Sequence, residues 1–131
     1  MIHGIGTDLV DLRRIQRVWN LYGMHFTRRI LMTEEMPAFE KSRDPIRYLA
    51  MHFAAKEAIV KALGTGFRHG IWLRDSGSIP DNRGRPLVIF SKRGHAVCKS
   101  LGAGSAYVSI SDESGMILAM AVILKDMRNL I

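Results

Sequence analysis

The chain has 131 residues, of which 47% are hydrophobic and 24% charged, and its formal net charge is +7. This composition excludes a disordered tail or a fibre, and the length predicts a single domain spanning 1–131. The absence of an apolar run of about 20 residues excludes a membrane helix, and the single Cys98 excludes an internal disulfide and a cysteine-based zinc site. We therefore expect a small, basic, soluble domain in the cytoplasm that does not insert into a membrane.

The start of the chain predicts a strand followed by a helix. Residues 2–9 read as a short strand in which Gly4 and Gly6 allow another backbone to approach closely. Asp11 is a suitable N-cap for a helix over about 12–22. The apolar positions of that helix recur at helical spacing and should face the core: Leu12, Ile15, Val18 and Trp19.

Arginines crowd the polar face of this helix and the segment after it. They are Arg13, Arg14 and Arg17 on the helix, and Arg28 and Arg29 in a turn or short helix predicted over 26–31. Residues 1–30 carry five Arg and two Asp, 5 − 2 = +3, and residues 66–95 carry six Lys or Arg and two Asp, 6 − 2 = +4. This uneven distribution favours acidic partners that meet two particular surfaces.

The strongest predicted helix covers 46–63, is opened by Pro45 and is ended by Gly64. Glu57 and Lys61 lie four residues apart and therefore share one face of it. An ordinary surface ion pair is one interpretation. The alanines around the pair favour a second, in which close packing against a neighbour partly buries both charges.

The second half of the chain predicts a loop, four strands and a helix. The glycine-rich loop over 64–70 follows a helix C-terminus, so an anion there would have to be held by side chains such as Lys61. The predicted elements are strands over 72–79 and 86–90, a helix over 91–102, and a hairpin of strands over 106–111 and 116–124. Helices and strands are mixed without a βαβ rhythm, which predicts an α+β fold with a mostly antiparallel sheet packed on the long helix.

Asp8 ends the glycine-rich first strand and could pair with Glu57 to form a two-carboxylate site. Magnesium commonly takes one or two carboxylates and completes its coordination with water and phosphate oxygens. Histidine and cysteine are too scattered to offer a zinc alternative.

Four segments carry a family resemblance: GIGTDLV near the start, FAAKEAIVKALGTG in the middle, RGRP at 83–86, and YVSISDE before the last strand. In this order they resemble the holo-acyl-carrier-protein synthases, the small 4′-phosphopantetheinyl transferases. The resemblance implies a homotrimer with active sites between subunits. It also implies transfer of phosphopantetheine from coenzyme A to a serine of an acidic apo acyl carrier protein, without involvement of nucleic acid.

The resemblance implies roles for individual residues. Asp8 and Glu57 match the magnesium ligands, and Lys61 completes the catalytic set beside the coenzyme A phosphates. The coenzyme A contacts that it implies are Lys61, Gly64, Arg83, Arg85, Pro86 and Ser109. The carrier-protein contacts that it implies are Arg13, Arg14, Arg17, Arg28 and Arg29.

Two positions depart from the family pattern. His52 stands where the family usually has Arg or Lys, and Asp112 stands where many members have His and others Asp. The acceptor of the serine proton stays open among Glu57, Asp112, Glu113 and water.

Two other functions compete with transfer. A non-enzymatic nucleic-acid-binding domain would explain the basic charge but not carboxylates placed among cations. A catalytically degenerate homologue would bind the carrier protein without modifying it. An assay with coenzyme A, magnesium and apo carrier protein separates these alternatives.

Overall fold

The computed structural model describes residues 1–129 and shows an α+β arrangement. Its strands are β1 (Ile2–Asp11), β2 (Ser76–Pro80), β3 (Pro86–Phe90), β4 (Ala103–Glu113) and β5 (Met116–Lys125). Its α-helices are α1 (Leu12–Tyr22), α2 (Met24–Ile30), α3 (Met36–Lys41), α4 (Pro45–Leu63) and α5 (Lys92–Leu101). Short 3₁₀ turns cover Thr33–Glu35, Leu73–Asp75 and Met127–Asn129. None of the helices within residues 1–129 has both the length and the apolar character needed to cross a lipid bilayer.

Two antiparallel sheets pack with the long helix, as the sequence predicts. The larger sheet has the strand order β1-β5-β4, and the smaller is the β2–β3 hairpin. Helix α4 lies against one face of the larger sheet, here called the inner face, and the two elements enclose the core. Strand β5 contributes four side chains with no exposed surface to that face: Ile117, Ala119, Ala121 and Ile123.

Strand β1 reaches the backbone of α4 because it has glycines at the contact. A Cβ atom added to Gly4 would lie 2.0 Å from the Ala62 carbonyl oxygen, and one added to Gly6 would lie 2.1 Å from the Ala58 carbonyl oxygen. Neither distance is sterically possible, so both positions require glycine. This contact places Asp8 beside the C-terminal half of α4. The prediction that Asp8 ends the first strand is wrong, because pairing with β5 continues to Asp11 and Asp8 therefore lies within β1.

The predicted ends of the long helix are confirmed. The Asp44 side chain accepts a hydrogen bond from the Arg47 N–H at 3.1 Å, and Pro45 occupies the first turn. Gly64 ends the helix in the left-handed region, with φ at +83°. Asp11 likewise caps α1, as predicted, by accepting from the Arg13 N–H at 2.9 Å.

The strand predicted over 72–79 is wrong at its start, because β2 begins only at Ser76. The Asp75 carboxylate accepts a hydrogen bond from the Trp72 N–H at 2.8 Å, and the Asp75 N–H donates to the Trp72 carbonyl at 3.0 Å. This reciprocal pairing turns residues 73–75 into a 3₁₀ turn. A local side-chain hydrogen bond therefore overrides the apolar pattern.

The outer face of the larger sheet is apolar and has no cover within residues 1–129. Ile5 is 67% exposed, Leu9 59%, Tyr107 54%, and Leu118 and Met120 are each 45% exposed. The sequence predicts that both faces of the last strand require burial, yet α4 covers only the inner one. A contiguous exposed apolar patch of this kind is typical of a surface that binds another molecule.

Candidate active site

The two main motif segments meet in space. Asp8 lies on the inner side of β1, where its neighbour across the sheet is the buried Ala119. The Lys61 ammonium lies 3.2 Å from Asp8 Oδ1 and donates a second hydrogen bond to the Thr7 carbonyl at 2.9 Å. Lys61 thereby ties α4 to the middle of β1.

Glu57 lies one helical turn before Lys61 and is partly buried. Burial raises the pKa of the Glu57 carboxyl, and the negative charge of Asp8 raises it further. The Lys61 and Arg14 charges act in the opposite direction without cancelling the rise. The Asp8 cluster, defined as Asp8, Glu57 and Lys61, thus combines two carboxylates with one ammonium group and attracts a further cation.

The donor set of the Asp8 cluster fits magnesium. It offers only carboxylate oxygens, which are hard ligands, and residues 1–129 contain no group of three or more His, Cys, Asp or Glu side chains arranged to hold a metal. A metal at Asp8 and Glu57 would have to complete its coordination with water and substrate oxygens. That requirement matches magnesium and excludes a structural zinc site.

The RGRP turn lies at the tip of the β2–β3 hairpin. The Asp81 carboxylate closes it by accepting hydrogen bonds from the backbone N–H groups of Arg83 at 2.8 Å and Arg85 at 2.9 Å. Arg85 and Pro86 line a cleft of about 430 Å³ together with Tyr107 of β4. Both guanidinium groups of the turn are exposed, and that of Arg85, which borders the cleft, lies 3.3 Å from the Asp81 carboxylate.

The RGRP turn and the Asp8 cluster lie at opposite edges of the larger sheet. The turn lies beside β4, whereas Asp8 is on β1, and β5 separates the two strands. Neighbouring strands lie about 5 Å apart, so the two edges are about 10 Å apart across the sheet alone. Ser109 is exposed on the outer face, opposite to the face on which Asp8 lies.

Gly64 acts in this structure as a helix cap. Its N–H donates to the carbonyl groups of Val60 and Lys61, so it is already used within the chain. A Cβ atom added to Gly64 would meet nothing within 4 Å, and the positive φ angle is what requires glycine here. A coenzyme A contact at Gly64 stays a prediction. In such a contact the ligand would approach the Gly64 Cα atom closely.

The five predicted carrier-binding arginines are all exposed on α1 and α2: Arg13, Arg14, Arg17, Arg28 and Arg29. Arg13 is paired with Asp11 at 2.7 Å, so part of its charge is already compensated. The Arg14 guanidinium lies 5.7 Å from the centre of the Phe53 ring and also influences Glu57. Arg14 therefore connects the basic helix with the Asp8 cluster.

Asp112 is a weak candidate for the proton acceptor. Its carboxylate accepts a hydrogen bond from Arg47, and this contact holds the pKa of Asp112 below its ordinary value. A carboxylate with a lowered pKa accepts a proton poorly. Burial and the charge of Asp8 raise the pKa of Glu57, which favours protonation of that carboxyl as long as no cation is bound to it.

A second ionic cluster, absent from the sequence-based predictions, lies under α4. Glu35 and Lys56 have no exposed surface, and the Lys56 ammonium lies 2.6 Å from Glu35 Oε1. His52 bonds the other carboxylate oxygen, so the residue that departs from the family pattern points inward. Burial acts to raise the pKa of Glu35, but the His52 hydrogen bond and the Lys56 charge outweigh it and hold the pKa below its usual range.

The sequence contained a signal for this cluster. Lys56 lies seven residues from Leu49 and seven from Leu63, and both leucines are buried. Because seven residues make about two helical turns, Lys56 belongs to the apolar stripe of α4. A lysine in such a stripe indicates a buried partner, although the sequence alone does not identify Glu35.

Known proteins of one family are similar to this chain along most of its length. A family model described as the 4′-phosphopantetheinyl transferase superfamily matches residues 4–115. A holo-[acyl-carrier-protein] synthase from Nitrosospira multiformis is 43% identical over 125 residues, which are 95% of this chain and 100% of that protein. The crystal structure of the Neisseria meningitidis holo-[acyl-carrier-protein] synthase is 40% identical and has a TM-score of 0.91 over 95% of this chain and 100% of that one.

A more distant relative has been solved with a ligand. The Helicobacter pylori holo-[acyl-carrier-protein] synthase, in complex with coenzyme A, is 28% identical and has a TM-score of 0.80 over 91% of this chain and 98% of that one. The matched residues include the β1 segment, all of α4 and the hairpin turn. This chain belongs to the 4′-phosphopantetheinyl transferase superfamily.

Proposed function

We propose that this chain transfers 4′-phosphopantetheine from coenzyme A to a serine hydroxyl of apo acyl carrier protein, with the Asp8 cluster as its catalytic centre. The observation that carries the proposal is the meeting of Asp8, Glu57 and Lys61 from two separate motif segments. Named relatives covering nearly the whole chain support the reaction and both substrates. The products are holo carrier protein and adenosine 3′,5′-bisphosphate.

Asp8 and Glu57 would hold magnesium. A magnesium ion bound there would neutralise negative charge on the coenzyme A pyrophosphate. Lys61 adds a point charge to the same oxygens and would exchange its contact with Asp8 for one with phosphate. The serine oxygen attacks the phosphorus that bears pantetheine, and the bond to the departing bisphosphate breaks. The serine proton goes to Glu57, to Glu113 or to water, since Arg47 occupies the Asp112 carboxylate.

The cleft beside Arg85, Pro86 and Tyr107 is our candidate for the nucleotide end of coenzyme A. The guanidinium groups of Arg83 and Arg85 suit the 3′-phosphate, and the Tyr107 ring suits the adenine. The exposed arginines of α1 and α2 suit the acidic carrier protein, which would reach the reacting phosphorus past Arg14. We place this reaction in the cytoplasm on the basis of composition.

We further propose a cyclic homotrimer in which one subunit provides the Asp8 cluster and its neighbour provides the Arg85 turn. Two features support it. The outer face of the sheet leaves Ile5, Leu9 and Leu118 exposed to solvent in a single chain. The Asp8 cluster and the turn also lie at opposite edges of that sheet, so a second subunit is the simplest source of the missing half.

Transfer is tested by incubating the protein with coenzyme A, magnesium and apo carrier protein and recording the intact mass of the carrier. We expect the mass of one phosphopantetheine to be added. A carrier whose acceptor serine is replaced by alanine serves as the control, and chelation of magnesium should stop the reaction. An unmodified carrier in the complete mixture would contradict the proposal and favour a binding-only homologue.

Shared active sites are tested by mixing two inactive variants, Glu57→Ala and Arg85→Glu. In mixed trimers some interfaces combine two intact halves, so part of the activity should return. Demonstrated subunit exchange without any recovery would place each site within one chain. Sedimentation of the wild-type protein should give the mass of three chains.

A further inference from the structure

The buried ionic cluster under α4 joins three parts of the molecule through one carboxylate. The Glu35 cluster consists of Glu35, His52 and Lys56 with the backbone groups that they bind. Glu35 accepts hydrogen bonds from the Met32 N–H at 2.9 Å and from the Ser78 N–H at 3.2 Å. Each of the two carboxylate oxygens therefore has two hydrogen-bond partners, and a buried charge requires such compensation.

Lys56 extends the same connection to the hairpin. Its ammonium donates to Glu35 and also to the Ser76 carbonyl oxygen at the start of β2. A Cβ atom added to Gly77 would lie 2.6 Å from the Glu35 carboxyl carbon, so a side chain at this position would push the carboxylate away from its hydrogen-bond donors. The segment after α2, helix α4 and strand β2 are thus fixed to one another at a single point.

The Glu35 cluster is adjacent to the proposed catalytic centre along the chain, because Lys56 directly precedes Glu57. Consecutive residues differ by about 100° around a helix, so Lys56 points into the core while Glu57 points towards Asp8. The C-terminal half of α4 is seated on β1 by Gly4 and Gly6. The Glu35 cluster supplies a second attachment on another side of the helix, and Glu57 lies between the two.

Resting on the proposed transferase function, we infer that Glu35 and Lys56 are positioning residues that set the rotation of α4 and thereby the placement of the Glu57 carboxylate beside Asp8. Side-chain ends lie about 5–6 Å from a helix axis, so a rotation of about 10° moves them by about 1 Å. A misplacement of about 1 Å can lower a reaction rate about 100-fold. Fold stability alone does not require the pair, since buried ion pairs can often be replaced by apolar groups without loss.

The test uses the double variant Lys56→Met with Glu35→Gln, which removes both charges and keeps similar shapes. We expect it to fold, to lose about 10- to 100-fold in kcat, and to keep the KM for carrier protein within about twofold. Mn²⁺ used as a probe and followed by electron paramagnetic resonance should bind about tenfold more weakly, because its two carboxylate ligands are no longer held together.

The matched control is Cys98→Ala on α5, a buried truncation in a helix that packs mainly on β3 and β4. It should lower Tm but leave kcat and Mn²⁺ affinity unchanged. The inference is overturned if the folded double variant keeps both values within about twofold of wild type, or if the control loses as much kcat. If the double variant does not fold, the single Glu35→Gln variant is judged by the same measurements.

The outcome separates this inference from the proposed function. A wild-type protein that fails to modify the carrier would refute the transferase proposal, whereas the Mn²⁺ measurement would still report on the placement of Glu57. An active wild type with an equally active double variant would refute only the positioning role.

Discussion

Adjacent residues on α4 serve two ionic clusters that differ in charge balance. Lys56 belongs to the Glu35 cluster, which is buried and whose carboxylate is surrounded by donors. Glu57 belongs to the Asp8 cluster, in which two carboxylates share one ammonium group and the Glu57 pKa is raised. A balanced buried cluster holds together the elements that it joins and is costly to break by removing one partner, whereas an unbalanced one at the surface remains able to bind a cation and a phosphate.

The largest expected effect is the loss of transfer on removal of either carboxylate of the Asp8 cluster. Asp8→Ala and Glu57→Ala should each lower kcat/KM by about 1000-fold or more, because the remaining oxygen ligands cannot hold the metal. The carrier-mass assay measures this effect, and circular dichroism should show an unchanged fold. Glu40→Ala, at an exposed position on α3, is the control and should behave as wild type. Activity near the wild-type level in either variant would remove the magnesium assignment.

The next effect distinguishes the clusters by stability. Glu35→Ala leaves the Lys56 ammonium buried without its partner, which should lower the free energy of unfolding by about 3–5 kcal/mol. Urea unfolding measures the change. Glu34→Ala provides a matched control because Glu34 is the exposed neighbour in the same turn, and it should shift stability by less than about 0.5 kcal/mol. Equal changes in the free energy of unfolding for the two variants would mean that burial of the Glu35–Lys56 pair does not affect stability.

A smaller effect concerns the basic surface next to the Asp8 cluster. Arg17→Glu should raise the KM for carrier protein about tenfold at low salt, because exposed charges mainly steer encounter. The difference between the variant and the wild type should shrink as salt is added, because salt screens these charges. Coenzyme A affinity should change little. Arg43→Glu reverses an exposed charge outside the proposed carrier surface and serves as the control. Equal losses for both substrates would show that α1 is not a dedicated docking helix.

A reversed effect on stability is expected at Glu57. Its pKa in the folded protein is raised by burial and by Asp8, so folding disfavours the charged form at neutral pH. Glu57→Gln should therefore raise Tm by about 1–3 °C in the presence of a chelator while it abolishes transfer. The difference should shrink as the pH falls through the raised pKa, because the wild-type carboxyl then becomes neutral. A Tm lowered at neutral pH would contradict this account.

The smallest effect is expected at Asp112, which pairs with Arg47 outside both clusters. Asp112→Asn should change kcat less than about threefold, because a carboxylate held by a guanidinium group is a poor proton acceptor. The pH dependence of kcat should also keep its shape. A loss of several hundredfold with a flattened pH profile would instead make Asp112 the acceptor.

Sequence reasoning was most successful where one residue determines local geometry. Pro45 and Gly64 marked the ends of α4, and Asp11 marked the start of α1. The strand predicted to begin at Trp72 is wrong there, because a hydrogen bond to the Asp75 side chain turns the backbone before β2 begins. Apolar periodicity favours a strand there, but it does not register competition from a nearby carboxylate.

The contact between Asp8 and α4 could be predicted in part from the sequence. Gly4 and Gly6 indicate that another backbone approaches β1 closely, and Glu57 and Lys61 share one face of α4. The family resemblance supplied the roles of these residues, which physical patterns alone left open. Local chemistry can thus nominate the members of a site before their distances are known.

Tertiary structure decided the partners that lie far apart along the chain. Lys56 is 21 positions from Glu35, and Asp112 is 65 positions from Arg47, so no local spacing links either pair. The sequence alone determined both ends of α4, the start of α1 and the two motif segments, because caps, glycines and periodicity act over a few residues. Which charge is buried and balanced, and which remains at the surface for substrate, depends on how α4 is rotated between β1 and β2, and only the packed molecule sets that rotation.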